Sequence, residues 1–146
     1  MNPEDLWKYL ANYEKEVGGQ VLAIPHNGNL SNGLMFPDVN PATNRKLTKA
    51  YAKNRSRWEP LAEVTQIKGD GEAHPSLSPN DEFADYGTWD WGNLGPLLKE
   101  PEMLEFEYAR EALKNGLQHE AKLGTNPFKF GMIGATDAHT GLPTAE

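Results

Sequence analysis

Gln20-Val21-Leu22-Ala23-Ile24-Pro25-His26-Asn27-Gly28-Asn29 decides how the chain is read. The first five residues are short, β-prone and mostly apolar, as in a strand buried in a parallel sheet. Pro25 stops the strand, and His26 and the Asn-Gly-Asn turn fall at its C-terminal end. Upstream, Asn2-Pro3-Glu4-Asp5 carries a cap, a first-turn proline and two acids, the marks of a helix start. Leu6, Leu10, Tyr13 and Val17 follow at helical spacing and predict one buried stripe, ended by Gly18-Gly19.

Downstream, Asn40-Pro41 repeats the cap-plus-proline signal and predicts a helix to about Trp58. Leu61 to Lys68 alternates as a second strand. Residues 69–96 have neither helical nor strand period, and a connection of that length is commonly functional. Glu100-Pro101-Glu102 opens a third helix with Met103, Phe106, Ala109, Leu113, Leu117 and Ala121 on one side; Gly116 is a weak point within it. Lys129 to Gly134 is a third strand, running into Ala135-Thr136-Asp137-Ala138-His139. Alternating helices and strands predict an α/β fold with a parallel sheet, open or closed into a barrel.

The totals exclude several functions. A formal net charge of -7 argues against non-specific nucleic-acid binding. The absence of cysteine excludes disulfides and thiolate metal sites. No stretch approaches the roughly 18 apolar residues of a membrane span, and residues 1–5 are not a signal peptide. A soluble protein is expected, cytoplasmic or periplasmic. The 146 residues suit a single domain, and the 14 glycines and 11 prolines make it rich in loops.

Ligands on α/β folds collect at the C-terminal ends of strands, where His26 and His139 both fall. Asp137 and His139, two apart on an extended chain, share a face; with His26 they form a candidate set of nitrogen and oxygen ligands for zinc, manganese or iron. The alternative is a turn in which Asp137 caps and His139 lies at the surface. Glu63, inside the second strand, is a candidate catalytic carboxylate beside Asp137, or a solvent-facing strand residue. Asn27, Asn29 and His74 are candidate substrate contacts, each equally readable as loop chemistry, and Glu72 is another candidate base. His119 reads as a solvated helix residue.

Arg45, Lys46, Lys49, Lys53, Arg55 and Arg57 fall within one predicted helix and read as a solvated face or as a clamp for an anionic small molecule. The segment 83–91, with Phe83, Tyr86, Trp89 and Trp91, reads as a lid, as a platform for a sugar or ring, or as a hydrophobic cluster pinning the loop.

Val21 to Gly33, Glu63 to Gly69, Asn80 to Phe83 and Gly131 to Thr140 resemble, in that order, a bacterial family known as domain of unknown function 3604. That family is similar to the polymerase-and-histidinol-phosphatase (PHP) metallohydrolases, which are distorted (β/α) TIM-like barrels related to amidohydrolases. The resemblance implies a divalent-metal-dependent hydrolase acting on phosphoesters, with His26, Asp137 and His139 as metal ligands. The chain lacks the His-x-His motif with which such proteins open, so residues 1–146 are expected to be a single partial domain from the later part of the barrel. On that reading the isolated chain is inactive or nearly so and self-associates through unpaired edges. A non-catalytic carbohydrate- or ligand-binding module built on the aromatic loop, or a decayed structural remnant, are the alternatives.

Overall fold

A computed structural model describes residues 2–141. The N-terminal helix α1 (Pro3–Val17) starts as its sequence dictates: the Asn2 side chain accepts from Glu4 N, and Gly18 closes the helix in the left-handed conformation. A two-residue hairpin follows, β1 (Val39–Asn40) with β2 (Arg45–Lys46), then α2 (Lys49–Trp58), β3 (Leu61–Gln66) and β4 (Gly69–Asp70). A 3-10 turn at Pro101–Phe106 precedes α3 (Ala109–Leu123) and β5 (Gly131–Gly134).

β3 is the centre of a three-stranded sheet of order β4-β3-β5, parallel to β5 and antiparallel to β4. The expected barrel is therefore corrected: the strands form two short, open sheets. β4 folds straight back on Thr65 and Gln66, taking the edge on which the next parallel strand of a barrel would pair.

Residues 20–25 run beside the other part of that edge without forming a regular strand. Ala23 N–H donates to Trp58 O at 2.8 Å, and Pro25 O accepts from Glu63 N at 2.9 Å. Between those bonds lies Pro60, and both Pro25 and Pro60 lack the N–H that a continuous ladder needs. The expected helix from Asn40 is shortened for a local reason. Asn40 Oδ1 accepts from Ala42 N and Thr43 N, and Asn44 is left-handed, so this segment turns into the hairpin. Thr48, whose hydroxyl accepts from Tyr51 N, is the actual cap.

The core gathers Trp7, Phe36, Leu47, Tyr51, Trp58, Ala62, Ala109, Ala112 and Phe128. On α1 the expected stripe is displaced: Trp7 is buried, whereas Leu6, Tyr13 and Val17 are exposed. Helix α3 is also rotated from the expected face and buries Ala109, Ala112, Gly116 and His119. Gly116 is there for proximity, since a Cβ would stand 2.3 Å from Asn126 Oδ1. His119 is buried against Phe128, with Nε2 3.1 Å from Asp38 Oδ1. No helix among the described residues is long and apolar enough to cross a membrane.

The basic residues divide between surface and core. Arg45 and Lys49 are exposed, whereas Arg55 is buried with its guanidinium over Phe128, donating to Met35 O at 2.6 Å and pairing with Glu59 at 3.1 Å. Trp7 Nε1 donates to the other Glu59 oxygen at 2.8 Å. Arg55→Met leaves the Glu59 carboxylate buried with only the Trp7 partner, and is expected to cost about 3 kcal/mol. Urea unfolding checks this; a loss under about 1 kcal/mol, the level of an exposed pair, would show that Arg55 and Glu59 are not held together.

Candidate functional site

The carboxyl ends of β3 and β5 deliver the polar side chains. Ala135 N–H donates to Thr65 O at 3.0 Å and Ile67 N–H to Thr136 O at 3.3 Å, so pairing continues up to the residue before Asp137. The chain then leaves the sheet abruptly: Asp137 has φ 50° and His139 φ 55°, and Asn27 on the opposing segment has φ 60°. Left-handed backbone is uncommon for residues with a Cβ and costs about 1–3 kcal/mol at each position. Three of the five such non-glycine residues among those described meet at this end of the sheet.

Asp137 is the hub. Its Oδ1 lies 2.7 Å from His139 Nε2, and its Oδ2 accepts from Gln66 Nε2 at 3.0 Å and from the Lys68 ammonium. Lys68 N–H donates to Gln66 Oε1 at 2.9 Å, turning the Gln66 amide so that its Nε2 also reaches Asn27 Oδ1. Asn27 N–H donates to Glu63 Oε2 at 3.1 Å. Glu63 and Gln66 are three apart, which in a regular strand puts them on opposite faces. Here the register slips between Glu63 and Thr65, and the bulge re-aims Gln66 so that both reach Asn27.

The two carboxyls are driven apart electrostatically. The Lys68 ammonium, and more weakly His139, hold Asp137 down to about 2 against desolvation. Burial pushes Glu63 up, opposed by the Asn27 N–H and the His26 charge and reinforced by Asp137.

Of the residues singled out from sequence, Glu63, Asn27, Asp137 and His139 come together, and His26 is exposed nearby. Asn29 is a fixture of the fold: its buried Nδ2 donates to Lys68 O at 2.9 Å and Trp89 O at 2.8 Å. Gly69 beside it has φ 107°, and a Cβ there would stand 2.6 Å from Trp89 Cβ. Glu72 is spent on Arg110 at 2.8 Å. His74 is buried and bonded to Asp90 and Ser76. Trp89 and Trp91 stack at 4.9 Å, with Trp91 80% exposed. Gln66 and Lys68 were missed: nothing in the alternating pattern of the second strand announces the bulge that aims Gln66 at the site.

The expected metal centre is not assembled. Among the described residues no three His, Asp or Glu side chains stand together as a metal ion requires. Asp137 and His139 turn their donor atoms on each other, and a cation on Asp137 would lie against the Lys68 ammonium. With neither barrel nor ligand set, the PHP-type, metal-binding and phosphoesterase expectations are corrected together.

The chain belongs to a family described as "Protein of unknown function (DUF3604)", whose model matches residues 1–146. No curated protein and no solved structure matches it.

Because the folded pKa of Asp137 lies below its ordinary value of 3.8, its stabilisation is present above about pH 4 and is lost as pH falls through about 2. A 13C titration of the Asp137 carboxyl should show a midpoint near 2, moving up toward 3.8 in Lys68→Met; a wild-type midpoint near 3.8 would remove Lys68 from the site.

Proposed function

We propose that the Asp137 cluster is the active site of a hydrolase acting on a small-molecule substrate by general acid–base chemistry. The observation that carries the reading is the 2.7 Å bond between Asp137 and His139, made by two residues that both hold left-handed backbone to make it. Strain of this kind clusters at active sites, ligand clamps and switch regions.

Asp137 fixes the imidazole by accepting the Nε2 proton, which leaves the Nδ1 lone pair to take a proton from water. His139 is largely exposed, so water and substrate reach it. Glu63, raised by burial, is the acid that returns a proton to the leaving group; two carboxyls pushed in opposite directions are the pattern of a divided acid and base. Lys68 keeps Asp137 ionised. Hydrolysis is favoured over other reactions at a carboxylate–imidazole pair because the imidazole is open to water, the reactant it would activate.

Purified protein should hydrolyse at least one of p-nitrophenyl acetate, p-nitrophenyl β-glucoside and an amide p-nitroanilide. Asp137→Asn should lower kcat by about 100-fold or more with the fold retained by circular dichroism. Glu63→Gln should remove the alkaline limb of the pH–rate profile. No turnover of any probe, or turnover unaltered by Asp137→Asn, would overturn the reading.

A second reading is a sugar-binding surface, favoured by the Trp89–Trp91 stack, with Trp91 open to solvent, and by the exposed Tyr86 of the same loop. It predicts that Trp91→Ala loses retention on an immobilised polysaccharide while Asp137→Asn keeps it; the opposite pattern would exclude it.

A further inference from the structure

The long loop contains a second polar constellation, independent of Asp137. His74 Nδ1 lies 2.6 Å from Ser76 Oγ and also accepts the Ser76 backbone N–H at 3.2 Å, while Nε2 lies 2.8 Å from Asp90 Oδ2. The backbone N–H assigns the tautomer. A donor aimed at Nδ1 requires a lone pair there, so the ring proton is on Nε2 and is donated to Asp90. The Ser76 hydroxyl then offers its proton to that same lone pair. Carboxylate, imidazole and hydroxyl are thus polarised in the order that activates a serine, with the two ring nitrogens exchanged relative to the protease arrangement.

Placement favours chemistry over a local cap. The turn at 74–78 is already closed by Leu77 N–H and Ser78 N–H on His74 O, at 3.0 and 2.9 Å, without the Ser76 hydroxyl. The imidazole is buried, its ring 5.2 Å from that of Tyr108, whereas Ser76 is exposed: a sheltered base carries an accessible nucleophile. Pro75 stiffens the link between them. Asp90 arrives from 16 residues away on a segment fixed by the Asn29 bond to Trp89 O. An open cavity of about 250 Å³ beside this turn is lined by Pro75, Ser78, Pro79, Asp81, Glu82 and Asp85. Its acidic rim admits neutral or cationic acyl groups and repels anionic ones.

We propose that Ser76 is a nucleophile toward activated carboxylic esters and phosphonyl electrophiles, with His74 as its general base and Asp90 as the residue that positions His74. Ser76 Oγ bonds to the carbonyl carbon as His74 Nδ1 takes its proton. The ester C–O bond breaks, and the leaving alkoxide takes that proton from Nδ1. Water then attacks the acyl-serine, giving its proton to Nδ1, and the proton passes to Ser76 Oγ as the acid departs.

The test is a neutral alkyl fluorophosphonate on the full chain, read by peptide mass spectrometry. Ser76 Oγ bonds to phosphorus as the P–F bond breaks and fluoride leaves. The expected result is an adduct on Ser76 that forms faster than any on Ser78, is absent in Ser76→Ala, and forms about 10-fold or more slowly in Asp90→Asn. Both substitutions are made away from the core, and circular dichroism confirms the fold. No adduct at Ser76, one no faster than at Ser78, or one indifferent to Asp90→Asn overturns the proposal. The label reads Ser76 itself, so the result does not depend on turnover at Asp137 and His139.

Discussion

Leu61–Gln66 is bonded on both edges, and the polar end of the molecule hangs from that one strand. On one side its backbone donates to Pro25 O from Glu63, and at its end it pairs antiparallel with β4. On the other side it runs parallel to β5 and accepts from Ala135. Three segments that are remote in sequence, 25–29, 67–70 and 135–139, are therefore brought to the same end by a single run of six residues. Beneath it, the ring of Phe36 packs edge-on to Phe128 and stacks on Phe130, with the Arg55–Glu59–Trp7 network alongside. A hydrophobic floor sets the strand's position; the bulge within it sets the direction of the polar side chains above.

Asn29 joins the two polar clusters. One buried amide holds both Lys68 O and Trp89 O, so the residue next to Asp90 is tied to the residue whose ammonium pairs with Asp137. The remainder of the long loop is fastened by charge as much as by apolar contact. Asp70 accepts from Glu72 N and Ala73 N, Arg110 bridges Glu72 and Asp81, and Lys99 pairs at 2.9 Å with Glu107, whose carboxyl burial pushes up. A loop of this length without regular structure holds its shape because ion pairs and carbonyl bonds replace the missing ladder.

Sequence reading found β3 and β5 because alternation and apolar runs are local signals, and it read Glu63 as lying inside the one and Asp137 and His139 as following the other, as the strand bounds have them. It extended the helix at Asn40 because Asn-Pro serves turns and helix starts alike; the Asn40 side chain chose the turn. It misjudged α1 and α3 because a helix with apolar residues on several sides does not announce which side meets the core. Trp7 and His119 won those places through Glu59 and Phe128, contacts from remote parts of the chain. The barrel failed at β4, a two-residue return that no periodicity reveals. Gln66 was invisible because a bulge is a property of the pair of strands. Lys68 was read as part of the strand's polar rhythm, whereas its partner lies 69 residues away.

Amide hydrogen exchange at Glu63 and Ala135 tests most directly whether β3 holds the site together. Glu63 N–H is bonded to Pro25 O and Ala135 N–H to Thr65 O, one from each edge of the strand. The two amides are predicted to be protected and to open together, with the same denaturant dependence, because both depend on β3 remaining in place. Protection of Glu63 alone, with Ala135 exchanging freely, would mean that β5 is not anchored there and that Asp137 and His139 are not held over Glu63.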